Sequence, residues 1–192
     1  MTPTNDQKVA LVTGANKGIG YEIAAGLGAL GWSVGVGARD DARREAAVAS
    51  LRERGVDAFG VPLDVTDDAS VTAAAQLVGD QKGRLDVLVN NAGITGSADQ
   101  TPTTVDLDTV RRAVDVNVYG VIRMTNAFLP LLRTAASPRI VNMSSGVGSL
   151  TRQSANDGTT GPISVAYSPS KSFLNAVTVQ YAKELADTNI LI

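Results

Sequence analysis

Residues 8–20 read KVALVTGANKGIG. Lys8 to Thr13 is an apolar run closed by Gly14, the pattern of a buried parallel strand. Ile19 to Leu30 then reads as a helix closed by Gly31. Between them stand Gly14, Asn16, Lys17, Gly18 and Gly20. Glycines there permit a tight turn and close backbone approach, and the helix start offers free N–H groups and partial positive charge to a pyrophosphate. The spacing is Gly-x3-Gly-x-Gly and no Gly-Lys-Ser/Thr follows, which argues against a nucleoside-triphosphatase loop. A ligand-free turn would use the same residues; the strand–turn–helix setting favours binding.

Outward from this unit the chain alternates. Ser33 to Ala38 reads as a second strand, Asp40 to Gly55 as a helix, Asp57 to Leu63 as a third strand and Asp67 to Asp80 as a helix. Leu85 to Val89 reads as a fourth strand. Leu107, Val110, Val114, Val118 and Val121 recur at helical spacing, so Asp106 to Leu132 is predicted as one long helix, ended or kinked by Pro130. Arg139 to Met143 is a fifth strand, Thr151 to Ile163 a polar loop, Val165 to Asp187 a helix, and Asn189 to Ile192 the start of a sixth strand. The alternation predicts one α/β domain, residues 1–192: a Rossmann-like, doubly wound parallel sheet with helices on both faces.

Composition narrows the chemistry. The 192 residues include no His and no Cys, which excludes Ser-His-Asp hydrolysis, His-ligated zinc and thiolate metal sites. No metal is expected. Proton transfer falls to Tyr, Lys, Asp or Glu. With 17 Lys and Arg against 19 Asp and Glu, the net charge of −2 offers no footprint for nucleic acid or a membrane surface. The polar start, Met1 to Lys8, is no signal peptide, and the uncharged stretch between Glu22 and Arg39 is too short to span a bilayer. These features point to a soluble, cytoplasmic protein.

The residue ending the second strand of such a sheet reads the adenosine ribose, and an acid there favours NAD. Here the strand ends Ala38-Arg39-Asp40. Ala38 cannot accept a hydroxyl bond, whereas Arg39 can grip a 2′-phosphate, with Lys17 as a second positive charge. NADP(H) is therefore favoured over NAD(H). A longer second strand would instead bring Asp40 to the ribose. Asp64 and Val65, after the third strand, are candidates for the adenine amine and ring; a plain turn Asp fits the spacing nearly as well.

Of four tyrosines, Tyr21 lies beside the glycine loop, Tyr119 in the long helix and Tyr181 late in the last helix. Tyr167 differs, because Lys171 follows one helical turn later on the same face. A nearby ammonium stabilises a phenolate and lowers the phenol pKa, so this Tyr can exchange a proton with a carbonyl or alcohol oxygen. Pro169 places the pair in the first turn of its helix.

Thr13-Gly14-x3-Gly18-x-Gly20, Asp64, Asn90-Asn91-Ala92-Gly93, Asn117, Ser145 and Tyr167-x3-Lys171, in this order, resemble the short-chain dehydrogenase/reductase family over essentially the whole chain. The segment Val12 to Gly20 resembles its NADPH carbonyl reductase branch. The resemblance implies a nicotinamide cofactor and hydride transfer to or from a small carbonyl or alcohol. It implies Tyr167 as general acid/base and Lys171 as holder of the nicotinamide ribose. Ser145 would bond the substrate oxygen, with Ser144 not separated from it. Asn117 would anchor a water in a proton relay through Lys171. Asn91, Ala92 and Gly93 would pass the cofactor, and within Asn90 to Gly93 the likelier contacts are Asn90 and Gly93. In the loop, Gly14, Asn16, Lys17, Gly18, Ile19 and Gly20 would hold it.

Two departures from the family stand out. Ser145 and Tyr167 are 22 positions apart, a long interval whose excess is the polar segment Arg152 to Ile163, read as a flap or as a passive insertion. The chain also stops at Ile192, where the family continues into a substrate loop and a last strand, so a missing C-terminal part is expected. The competing readings are a 3-oxoacyl thioester reductase of the same family and a cofactor-binding sensor without turnover. The helices over Asp106 to Leu132 and Val165 to Asp187 could join a homodimer or homotetramer; a monomer is the alternative.

Overall fold

The computed structural model describes residues 7–97, 100–155 and 163–192. Five strands form one parallel sheet in the order β3-β2-β1-β4-β5. They are β1 (Val9–Thr13), β2 (Ser33–Ala38), β3 (Ala58–Pro62), β4 (Val87–Asn90) and β5 (Arg139–Asn142). The helices are α1 (Gly18–Ala29), α2 (Asp41–Glu53), α3 (Asp68–Lys82), α4 (Leu107–Val114), α5 (Gly120–Leu132), α6 (Leu150–Gln153) and α7 (Tyr167–Glu184).

Every residue of β1 is buried because both faces of the sheet are covered. Its side chains alternate between two cores. Leu11 joins Val61, Leu88, Met124, Phe128 and Leu132 beneath α3 and α5. Ala10 and Val12 join Val34, Val36, Ala24, Val48 and Leu51 beneath α1 and α2. The expected Rossmann-like, doubly wound α/β architecture is the one observed. No helix among the described residues is long and apolar enough to cross a membrane.

Three local expectations need correction. The long helix runs unbroken from Leu107 to Leu132 but is not α throughout: a π-turn over Asp115–Tyr119 lies between α4 and α5. The extra residue rotates the two halves, so the apolar series divides. Val118 and Val121 enter the core, while Leu107, Val110 and Val114 line a surface hollow of about 300 Å³ with Tyr119. Pro130 lies inside α5, which ends two residues later. Within the expected loop from Thr151 to Ile163, Thr151 to Gln153 belong to α6, because Ser149 caps that turn through Arg152 N–H. Residues 156–162 lie outside the described residues. The sixth strand reduces to one parallel bridge, Leu191 beside Arg139 on the outer side of β5.

Candidate active site

Strand order reverses at β1, between β2 on one side and β4 on the other. Ligands bind in the crevice beyond the carboxyl ends of strands at such a point. The glycine loop leaves β1 there. Gly14 has φ +65°, and a Cβ on it would sit 3.0 Å from Ala92 Cα, so only glycine fits both the backbone and the approach to the end of β4. A Cβ on Gly20 would strike Asn91 Nδ2 and Gly14 O. Gly18 also has positive φ but faces open space.

Thr13 welds the crevice. Its buried Oγ accepts from Asn91 N at 3.0 Å and Ala92 N at 2.9 Å. Asn91 Nδ2 donates back to Thr13 O at 2.9 Å. Asn91 and Ala92 thus hold the loop in place. Asn90 turns inward: its Nδ2 donates to Asn142 Oδ1 at 2.9 Å across β4 and β5, so its side chain braces the sheet and does not face a cofactor.

The α1 N-terminus is chemically open. Lys17 occupies the cap position with no side-chain cap bond, and it is exposed with Gly18 and Ile19, beside a half-buried Asn16. Uncapped N–H groups at a helix start suit an anion. At the end of β2, Arg39 is exposed and makes no ion pair with a described residue. Asp40 is committed elsewhere: its Oδ1 caps α2, accepting from Arg43 N at 2.9 Å. Asp64 Oδ1 accepts from Thr66 N and Oγ at 3.0 and 2.7 Å. Burial pushes the Asp64 carboxyl pKa up, but the Thr66 bonds and the Arg39 and Arg123 charges outweigh it, and the net shift is downward. Val65 is buried against Gly120.

Three of the four tyrosines are occupied elsewhere. Tyr21 Oη lies 2.8 Å from Ser50 Oγ, Tyr181 Oη donates to Asn126 Oδ1 at 2.7 Å, and Tyr119 meets Phe173 edge-on. Tyr167 opens α7, and Lys171 follows with Nζ 5.6 Å from the Tyr167 ring centroid. Lys171 is 5% exposed, and Nζ donates to Met143 O at 2.6 Å just beyond β5. No carboxylate among the described residues pairs with it. Burial lowers its pKa.

The two serines are separated by their partners. Ser144 Oγ donates to Asn175 Oδ1 at 2.6 Å, whereas among the described residues Ser145 Oγ only accepts a 3.4 Å bond from Val147 N. Ser145 caps the turn Gly146–Gly148, which Ser172 Oγ ties to α7 through Gly148 O at 3.0 Å. Asn117, in the π-turn, is fully buried. Its Oδ1 accepts from Ile94 N, and its Nδ2 donates to Ile94 O and Ser170 Oγ, all at 2.9 Å. Gly93 lies against this group; a Cβ there would sit 3.2 Å from Asn117 Oδ1 and 3.8 Å from Lys171 Nζ.

Sequence reasoning left three supports unassigned: Thr13, Asn175 and Gln100. Asn175 had a signal, since Tyr167, Lys171 and Asn175 recur every four residues on one helix face. Gln100 had none.

A profile of the short chain dehydrogenase family matches residues 8–192. A short-chain dehydrogenase/reductase of Aspergillus fumigatus is 39% identical over 155 residues, 79% of this chain and 59% of its own length. A Streptomyces virginiae protein named as the ketoacyl reductase of a monensin polyketide synthase is 42% identical over 188 residues, 96% of this chain and 67% of its own. The crystal structure of an actinorhodin polyketide ketoreductase variant with NADPH superposes with a TM-score of 0.86 at 35% identity, covering 97% of this chain and 68% of that one. This chain therefore spans roughly three-fifths to two-thirds of the length of these relatives. With its sheet order, glycine loop and Tyr-Lys helix in place, the chain belongs to the short-chain dehydrogenase/reductase family of oxidoreductases.

Proposed function

We propose that the protein is an NADP(H)-dependent oxidoreductase interconverting a small carbonyl compound and its alcohol. The observation that carries this reading is Lys171: an ammonium buried without a carboxylate partner among the described residues, one turn beyond Tyr167. An uncompensated buried charge is costly, and such costs gather where chemistry is done.

The residues fit a nicotinamide dinucleotide. The uncapped start of α1, with Gly14, Asn16, Lys17, Gly18, Ile19 and Gly20, would hold the pyrophosphate. Arg39 and Lys17 would hold a 2′-phosphate, and the capping role of Asp40 leaves NAD(H) without its usual acidic reader. Asp64 and Val65 would border the adenine, and Asn91, Ala92 and Gly93 would line the path to Lys171. When bound, the nicotinamide supplies the hydride that adds to the carbonyl carbon. Tyr167 Oη gives its proton to the carbonyl oxygen, and the Lys171 charge favours the phenolate left behind. Ser145 Oγ bonds the same oxygen. The carboxamide of Asn117 is held by Ile94 and Ser170 beside Gly93 and Lys171, and Asn117 would anchor a water in a proton relay through Lys171.

The test is NADPH oxidation by purified full-length protein across ketones, aldehydes and quinones, beside Tyr167→Phe. Turnover on that panel is expected, cut ~10²-fold or more by the substitution to a residual rate; full activity in the variant refutes the assignment.

A second reading is favoured by likeness to the two polyketide ketoreductases: a 3-oxoacyl thioester substrate. Faster turnover of 3-oxoacyl thioesters than of free ketones would select it. A homodimer or homotetramer through α4, α5 and α7 belongs to the same proposal, supported by exposed Leu107, Tyr119, Phe173 and Val179. Sedimentation of the purified protein checks it.

A further inference from the structure

Gln100 lies outside every motif, in the segment between β4 and α4, and is half-buried. Its Nε2 donates to Thr95 O at 2.8 Å and Ser97 O at 3.0 Å. Its Oε1 accepts from Ser164 Oγ at 2.5 Å and from the main-chain N–H of Tyr167 at 3.2 Å. Its own carbonyl accepts from Val165 N at 3.1 Å. One side chain thus fastens the segment following the Asn91–Gly93 corner to the start of α7.

A helix start leaves its first N–H groups without intrahelical partners, and a Ser, Thr, Asp or Asn just before the helix normally supplies an acceptor. Ala166 holds that position here and has none to offer. The acceptor comes from Gln100, 67 residues away in sequence. Helix ends fray, and Tyr167 sits at this end. Lys171 does not share the hazard, because its Nζ is anchored on Met143 O. Movement of the first turn would therefore shift Tyr167 Oη relative to a fixed ammonium.

We propose that Gln100 is a positioning residue for Tyr167: a remote cap that sets the first turn of α7, and with it the distance from the phenol to Lys171 and the substrate oxygen. This rests on the assignment of Tyr167 as proton donor. The acceptor oxygen is the working atom; the two donated bonds aim it.

Gln100→Met keeps the length of the side chain and removes its hydrogen bonds. Misplacing a reacting group by a fraction of an ångström lowers kcat, here by about tenfold in full-length protein reducing 4-nitrobenzaldehyde. KM and the NADPH Kd should stay within about twofold, because Gln100 touches neither ligand in this reading. Gln100→Glu keeps an acceptor for Tyr167 N but loses both donated bonds and sets a carboxylate oxygen against the Thr95 and Ser97 carbonyls, so it should recover only part of the kcat lost in Gln100→Met. In single-turnover measurements on a Tyr167→Phe background, Gln100→Met should cost less than about twofold, since two groups acting through one atom are not additive. If Gln100→Met folds poorly, Ser164→Ala, which frees Oε1 of one partner, should lower kcat in the same direction with KM unchanged. Wild-type kcat in Gln100→Met, or an equal loss on the Phe background, overturns the proposal. Full turnover by Tyr167→Phe alone overturns the underlying assignment instead.

Discussion

Thr13→Val isolates the weld between the glycine loop and β4. The two side chains have nearly the same shape, so packing within β1 is preserved and only the hydroxyl is lost. Its oxygen accepts from two main-chain N–H groups, but they do not lose equally. Asn91 N also bonds Val89 O at 3.1 Å and keeps that partner. Ala92 N has Thr13 Oγ as its acceptor and is left with none among the described residues. An orphaned main-chain N–H costs ~1–3 kcal/mol, at the lower end where the site is partly open. The expected loss is therefore about 1–2 kcal/mol, a sizeable part of a total stability that is commonly ~5–15 kcal/mol. Thr13→Ser keeps the acceptor and should lose less. The assay is urea unfolding followed by circular dichroism, with the slope unchanged and the midpoint lowered. The same variant should bind NADPH more weakly, because the bond it removes sets the width of the crevice. A Thr13→Val protein as stable as the parent would refute the hydrogen-bond accounting. Lost stability with unchanged NADPH affinity would show that the weld serves the fold alone.

Lys171→Met should inactivate the protein and yet stabilise it near neutral pH, because it removes a buried ammonium. Burial depresses the Lys171 pKa, so between the folded and unfolded values the unfolded chain binds more protons; parental stability should rise with pH through that window. The variant lacks that rise, and its advantage should shrink toward high pH; an advantage independent of pH would contradict burial as the cause. Asp40→Ala removes the cap of α2 and should cost ~1 kcal/mol while leaving the ratio of NADPH to NADH affinity unchanged; Arg39→Asp should shift that ratio toward NADH, both read by titrating each cofactor. Ser145→Ala should lower kcat by ~10²-fold or more, as loss of an oxyanion donor does, and Ser144→Ala by far less; equal losses would mean that the hydroxyl held by Asn175 also reaches substrate.

The sheet was legible because its strands are continuous apolar runs bounded by glycine or charge; β2 is observed over the same residues, Ser33 to Ala38, that its composition marks out. The glycine loop and the Tyr167–Lys171 pair were legible because their chemistry sits at short, fixed spacings. The π-turn was not. Valines at steps of three and four continue across it, and one inserted residue changes which of them face the core without disturbing the series. The division between Ser144 and Ser145 was illegible for another reason. Both are hydroxyls on one short turn, and only Asn175, about thirty residues later and on a different element, engages one of them. Gln100 belongs to the same class, since apart from the Ser164 hydroxyl the groups its side chain bonds are main-chain groups that any sequence would supply.

The treatment of buried charge separates the parts of the molecule that serve the fold from those that serve chemistry. Arg44 is 6% exposed, and its guanidinium donates to Asp41, Glu45 and the Ala38 carbonyl. Asp86 is 7% exposed and accepts from Val9 N and Arg84 Nε. Each is neutralised where it stands, as a structural charge should be. Lys171, buried as deeply, meets one carbonyl and no carboxylate among the described residues. Nearby, α1 begins without a side-chain cap. These departures lie at the carboxyl ends of the central strands. The same chain that pairs its charges elsewhere leaves them open there, which is the pattern expected where a ligand completes the set.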